Sequence, residues 1–156
     1  MTTEKYILLD DDAATVQLGV RLVHALNTPA LITFTGPIGA GKTTLIRAML
    51  RAHGVSSAIK SPTYTLVESY DCTPCTVHHF DLYRIHDPME LEFIGFREYL
   101  GQNAVCLIEW PEHGGGMLGK PDLQVSLEPA GDGRHARMKA ESFRGKQILE
   151  GLEGGL

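Results

Sequence analysis

Apolar positions along the chain change their spacing several times, and each change predicts an element. Tyr6–Leu9 reads as a first strand. Asp10-Asp11-Asp12 then offers capping carboxylates to a helix over Ala13–Leu26. Its apolar stripe is Val16, Val20 and Val23, widened by Leu22 and Leu26, and it predicts a helix that covers a sheet. Asn27-Thr28-Pro29 ends it, and Ala30–Thr35 follows as a short β-rich run suited to a buried strand. Thr44–His53 returns to helical spacing, with Leu45, Met49 and Ala52 beside Ile46 and Leu50, Arg47 and Arg51 opposite, and Gly54 as the stop.

Ser56–Lys60 has no period. Tyr64–Tyr70 and Val77–Tyr83 read as strands joined by a hairpin connection over Asp71–Thr76. Asp87, Pro88 and Glu90 have the order of N-cap, N1 and N3 for a short helix, interrupted at Gly95 and resuming through Phe96–Leu100. Ala104–Ile108 is continuously apolar, which predicts a central strand buried on both faces. Leu123, Val125 and Leu127 alternate with polar residues, Pro129–Gly133 turns, and Ala136, Met138 and Ala140 alternate again, a C-terminal antiparallel hairpin. Gly145–Leu152 reads as a short helix with a frayed end beyond it.

One stretch brings chemistry to this pattern. Gly36–Thr43 reads Gly-Pro-Ile-Gly-Ala-Gly-Lys-Thr and fits G-x-x-x-x-G-K-[ST], between a predicted strand and a predicted helix. Glycines let successive backbone N–H groups turn inward toward phosphate oxygens, and the helix dipole adds to that field. Gly36, Ile38, Gly39, Ala40, Gly41, Lys42, Thr43 and Thr44 are therefore candidates for nucleotide binding, with Lys42 on the phosphates and the Thr43 hydroxyl on Mg2+. The elements together predict an α/β, P-loop NTPase-like three-layer fold with a mixed sheet, as a single domain over residues 1–156.

Composition narrows the class. The chain has 156 residues, 43% apolar and 21% charged, enough for one buried core. A net charge of −5 argues against a free-standing nucleic-acid binder. Met1–Lys5 lacks a basic segment followed by an apolar one and no apolar run has membrane-spanning length, so neither signal peptide nor membrane association is expected. Three cysteines, an odd count, do not suggest a disulfide scaffold, and the expected compartment is the cytoplasm.

A P-loop needs a carboxylate at the end of a nearby buried strand. Glu109 ends the most apolar strand, with metal or water positioning as one reading and a structural salt bridge as the other. Asp81, in His79-Phe80-Asp81-Leu82-Tyr83-Arg84, is the second candidate, with hydrogen bonding to Ser61-Pro62-Thr63 as its rival role. Ser61–Thr63 lies about twenty residues past Thr43, where P-loop enzymes carry a γ-phosphate sensor, and an ordinary Ser-Pro turn serves equally well. Cys72-Thr73-Pro74-Cys75 before His78-His79 has the wrong spacing for zinc and reads as a hairpin turn. His113 with Gly114-Gly115-Gly116 reads as a flexible loop near the site, Cys106 as core, and Trp110 as a packing residue. The guanine-reading [NT]-K-x-D is missing, Gly119-Lys120-Pro121-Asp122 being the nearest approach, so ATP is favoured over GTP.

Taken in order, Gly36–Thr44, Ser61–Glu68 (S-P-T-Y-T-L-V-E), His79–Arg84 (H-F-D-L-Y-R), Glu90–Gly95 (E-L-E-F-I-G) and Ile108–Glu112 (I-E-W-P-E) resemble one family closely. It is the TsaE (YjeE) family, small bacterial ATPases needed to form threonylcarbamoyladenosine on tRNA. The resemblance runs from about Thr15 to Ala140. It implies ATP and Mg2+ as cofactors, Lys42, Asp81 and Glu109 as catalytic residues, and Thr43 with Glu109 on the metal. Ser61–Thr63 matches the first switch and Trp110 the tryptophan beside the metal-binding glutamate. Thr15 and Gly133-Arg134 match segments that approach the base. Pro37 departs from the acidic or small residue expected there, with its carbonyl still available. The resemblance also implies TsaD and TsaB as partners, contact with tRNA only through their complex, and weak hydrolysis by the isolated chain that resets the complex between turnovers. The alternatives are a small-molecule P-loop kinase, for which no long lid segment is evident, and a nucleotide-dependent binding module.

Overall fold

The computed structural model describes residues 3–27, 29–72, 75–100 and 103–154. Thr28 of the expected helix stop, Thr73 and Pro74 of the expected hairpin connection, and Gly155-Leu156 of the expected frayed end lie outside the described residues. The strands are β1 (Glu4–Leu9), β2 (Ala30–Thr35), β3 (Val67–Asp71), β4 (Thr76–Asp81), β5 (Ala104–Glu109), β6 (Leu123–Ala130) and β7 (Gly133–Ala140). The helices are α1 (Asp12–Ala25), α2 (Lys42–Ala52), α3 (Glu90–Phe93), α4 (Phe96–Tyr99) and α5 (Phe143–Gly154), with a 3-10 segment over Pro111–Leu118.

The strands form one mixed sheet in the order β1-β7-β6-β2-β5-β4-β3. Its middle, β6-β2-β5-β4, is parallel, and β7, β1 and β3 join antiparallel. All six residues of β5 are buried, as its unbroken apolar run requires of a strand with helices over both faces. Alternate side chains divide between two cores. Val105, Leu107, Ile32, Phe34 and Val77 pack under α1, α2 and α5. Cys106, Ile108 and Phe80 pack under α3, α4 and the 3-10 segment. This is the expected three-layer architecture with its C-terminal hairpin.

Local chemistry accounts for most boundaries. Asp11 caps α1, its side chain accepting from the Ala14 N–H at 2.8 Å. Past the end of α2 the Val55 N–H returns to Leu50 O and the Gly54 N–H to Arg51 O, a Schellman stop. Glu90 reaches back to the Asp87 N–H while Asp87 accepts from Met89, although regular helix begins only at Glu90.

Several expectations shift. The fully buried face of α1 is Thr15, Leu18, Gly19 and Leu22; of the expected stripe, Leu22 is buried and Val23 and Leu26 pack partly buried against the core, while Val16 turns outward. Val16 is 43% exposed and lies with Val20 along a groove against Arg47 and Ala48 of α2. Gly19 explains the phase, because a Cβ there would stand 2.7 Å from that of Ala48, so the helices approach backbone to backbone. The strand expected from Tyr64 begins at Val67: Leu66 N–H donates to Pro62 O at 2.8 Å, holding the chain in a turn, and Tyr64 is 81% exposed. β4 stops at Asp81 rather than Tyr83 because the Asp81 carboxylate takes the Tyr83 N–H at 3.0 Å. Helix α2 starts two residues early, directly after Gly41, and α5 starts at Phe143, where the Ser142 hydroxyl accepts from the Gly145 N–H.

The residues expected as a flexible glycine loop are packed into the 3-10 segment. A Cβ on Gly114 would lie 2.9 Å from Leu118 Cγ and 3.1 Å from Leu82 Cδ1, so small size rather than mobility explains that glycine.

The helix phase is testable by urea unfolding. Gly19→Val is expected to destabilise by about 1–3 kcal/mol through overpacking, and Val16→Ala by no more than about 0.5 kcal/mol. The reverse order would place Val16, not Gly19, at the packed face of α1.

Candidate functional site

The carboxyl ends of β2, β5 and β4 lie side by side. Phe34 pairs with Glu109, and Glu109 with Asp81, so the two carboxylates are neighbours across adjacent parallel strands. Both project from the face that carries Val105, Leu107 and Val77, the face covered by α2. From Thr35 the chain curls through Gly36–Gly41 into α2, with φ of 142° at Gly36 and 101° at Gly41. A Cβ at Gly36 would meet Leu127 O at 2.2 Å, and one at Gly41 would meet Arg134 Nη1 at 2.1 Å. Backbone conformation demands glycine at both positions, and at Gly36 the Leu127 backbone leaves no room for a side chain either. The free N–H groups of the first turn of α2 open onto this loop.

A cleft of about 440 Å³ lies over it. Ile38, Gly39, Gly41, Lys42, Thr43 and Thr44 line one side, Thr63, Asp81, Tyr83, Glu109 and Trp110 the other, with Asp12 and Arg134 beyond the loop. Lys42 is only 6% exposed; its Nζ donates to Gly36 O and sits 3.9 Å from the centroid of the Trp110 ring. Burial pulls its pKa below the ordinary lysine value, and the charges of Glu109, Glu112 and Asp81 oppose that pull. Trp110 takes the left-handed conformation at φ 56° and stacks on His113, whose Nδ1 lies 3.0 Å from Leu82 O and 3.1 Å from Tyr83 O. That ring fastens the segment after β5 to the segment after β4.

Asp81 accepts from the Tyr83 N–H and, at 3.3 Å, from the Thr63 hydroxyl. Burial raises its pKa, the Tyr83 hydrogen bond lowers it, and the neighbouring Glu109 charge raises it further. Glu109, 5% exposed, meets His79 Nε2 at 2.7 Å. The hydrogen bond to the Ser61–Thr63 turn weighed for Asp81 is thus a real contact, Glu109 has a histidine as its structural partner, and both carboxylates still line the cleft.

Of the other expected residues, Gly36 and Ala40 lie behind the lining and shape the loop; Ala40 N–H donates to Pro37 O at 3.1 Å, the carbonyl left free by that unusual proline. Thr15 is fully buried and reaches the cleft only through Arg134, whose Nη1 donates to its hydroxyl at 3.3 Å while Nη2 meets Asp12 at 3.0 Å. Sequence reasoning gave Asp12, Tyr83 and His79 no place in the site, and it set His113 near the site only as part of a loop. For His79 a signal existed, since it precedes Asp81 by two residues and so shares its face of the strand. The three cysteines are free, and burial pushes the Cys106 thiol up to about 12, as befits a core residue.

A family profile described as "Threonylcarbamoyl adenosine biosynthesis protein TsaE" matches residues 9–138. This chain belongs to the TsaE family. A TsaE of Haemophilus influenzae, named as a tRNA threonylcarbamoyladenosine biosynthesis protein, is 45% identical over 119 residues, which are 76% of this chain and 75% of that one. The Bacillus subtilis TsaE is 34% identical over 72% of this chain and 70% of its own. The crystal structure of Bacillus subtilis YdiB superposes with a TM-score of 0.83 at 25% identity, covering 99% of this chain and 97% of that one. The matched span contains the whole TsaE-like series of motifs, from the Gly36 loop to Glu109 and on through Arg134.

The raised pKa of Asp81 has a signed consequence. Between its ordinary value of 3.8 and the higher folded value the native state holds more protons than the unfolded one, so its contribution turns unfavourable as pH rises through that window. Asp81→Asn is therefore expected to resist urea better than the parent at pH 7, with the gap closing as pH falls toward 3.8. A gap that widens on acidification would mean that the carboxylate is net stabilised in the fold.

Proposed function

We propose that this chain is a magnesium-dependent ATPase that serves formation of threonylcarbamoyladenosine on tRNA by resetting a complex of TsaD and TsaB homologues between turnovers. The observation that carries the reading is the convergence of the Gly36–Thr43 loop, the buried Lys42 and two carboxylates at one end of parallel strands. Membership of the family adds the pathway.

The residues fit the cofactors. Lys42 is a buried cation whose hydrogen bond goes to a backbone carbonyl, an arrangement suited to exchange for phosphate oxygens. The loop N–H groups add a cradle for the β-phosphate. The Thr43 hydroxyl and the Glu109 carboxylate are the hard oxygen ligands that Mg2+ prefers. Held there, Mg2+ would supply charge neutralisation to the phosphates.

Asp81 has the environment of a group that handles a proton or orients water: buried, raised in pKa, and fixed by Tyr83 N–H and Thr63. Thr63 ties it to the Ser61–Thr63 turn, which supports the switch reading of that segment. Arg134 crosses Gly41 and is held by Thr15 and Asp12, and we assign it to the base and ribose side of the nucleotide. ATP is preferred to GTP in this reading because no guanine-reading motif follows. The net charge of −5 suits a protein that meets tRNA only through its partners, in the cytoplasm. Among the described residues no helix is long and apolar enough to cross a membrane.

ATP hydrolysis by the purified chain, alone and with TsaB and TsaD, tests the proposal. The expected result is a slow rate alone, a sharp rise when both partners are present, and a loss of roughly 100-fold or more in Lys42→Ala. A rate indifferent to the partners would remove the assignment to the modifying complex. Glu109→Gln that sustained tRNA modification at the parent level would make hydrolysis irrelevant and leave only a binding module.

A further inference from the structure

We propose that His79 is a positioning residue for Glu109, holding one oxygen of the carboxylate so that the group presents a fixed edge to the metal and nucleotide. The proposal rests on the ATPase reading and deepens it. Its starting point is the register of β4 and β5, in which Asp81 pairs with Glu109 and His79 with Leu107. Alternation puts His79 and Asp81 on one face, so Glu109 has a carboxylate directly beside it and an imidazole on the diagonal. Two like charges in directly paired positions repel.

The structure resolves that conflict by giving each carboxylate its own donors. Asp81 takes the Tyr83 N–H and the Thr63 hydroxyl. Glu109 takes His79 Nε2 at 2.7 Å. His79 is 4% exposed, and its Nδ1 is buried with no hydrogen-bond partner among the described residues. With the proton on Nε2, Nδ1 is a bare acceptor, which is less costly to orphan than a buried N–H. A side chain placed there only to fill space would do better as phenylalanine, which orphans no nitrogen. Among the described residues, the polar contact that explains an imidazole at this depth is Glu109.

The contact also answers a need of β5. Glu109 ends a strand buried throughout, where a carboxylate without a donor is costly and free to rotate toward any cation, including Lys42. A hydrogen bond at one oxygen fixes the rotamer and keeps Glu109 apart from Asp81, as donors behind carboxylate and histidine ligands do in metal sites.

The test uses the full chain, whose sole tryptophan, Trp110, lies in the cleft with Lys42 Nζ 3.9 Å from its ring centroid. Trp110 fluorescence is followed on adding a non-hydrolysable ATP analogue, first in EDTA and then with increasing Mg2+. His79→Phe is expected to raise the half-saturating Mg2+ concentration by about 10–100-fold while changing binding in EDTA by less than about threefold. His79→Gln, which keeps an N–H donor of similar reach, is expected to recover most of that shift. In a Glu109→Gln background, adding His79→Phe is expected to produce no further change, whereas a merely structural effect would add. Should His79→Phe fail to fold, His79→Asn, whose amide stops short of Glu109, takes its place with the same expected shift.

A parent-like Mg2+ requirement in the variant overturns the role of His79 alone, as does a shift of equal size in EDTA. A parent protein whose analogue binding ignores Mg2+ overturns the ATPase reading and this one with it.

Discussion

Three neighbouring strands, β2, β5 and β4, run in one direction and hold register to their ends, so that Phe34, Glu109 and Asp81 stand in a single row. Parallel strands all end at the same edge of the sheet, and that edge is where the loop after β2 must turn into α2. The loop, the helix terminus and both carboxylates therefore meet without any long-range adjustment. Were one of these strands to slip by a single residue, its carboxylate would pass to the opposite face, into the core under α3 and α4. The register is held by the apolar side chains on both faces of β5, each of which has a separate core to fill.

Concentrating charge at such an edge has a cost that the surrounding residues offset individually. Lys42 rests on a backbone carbonyl and an aromatic face, Asp81 on a backbone N–H and a hydroxyl, and Glu109 on an imidazole. None of the three charges has its strong hydrogen bond with another of the three. The two acids oppose the loss of charge on Lys42 through space, and Glu109 raises the pKa of Asp81. A site built this way keeps its charges apart yet close, which suits a group of phosphates and a cation entering between them.

Aromatic contacts connect the pieces that follow the strands. The Trp110 ring faces Lys42 on one side and stacks on His113, which in turn meets the carbonyls of Leu82 and Tyr83. The segments after β4 and β5 are thereby one packed unit against the loop. Gly114 completes it by admitting Leu118 and Leu82 at close range, so the glycine-rich stretch there is a packing device. Thr63 connects the same unit to the turn that precedes β3.

Much of this was legible in the residues alone. The Gly36–Thr43 pattern predicts a tight glycine turn between strand and helix because its chemistry is local: glycine conformation, a lysine and a hydroxyl at fixed offsets. The unbroken apolar run of β5 and the alternation in β6 and β7 predict strand position and the hairpin because burial is written into period. Other features depended on what meets what across the fold. The packed face of α1 was set by backbone contact between Gly19 and Ala48, which no valine stripe announces. β3 began late and β4 ended early because Leu66 and Tyr83 gave their N–H groups to Pro62 and Asp81. The partnership of His79 with Glu109 spans thirty residues and exists only because two strands lie in register. Local geometry and burial pattern are properties of a segment and can be read from it; cross-strand pairing and helix-to-helix approach are properties of the assembled chain, and only the tertiary structure decides them.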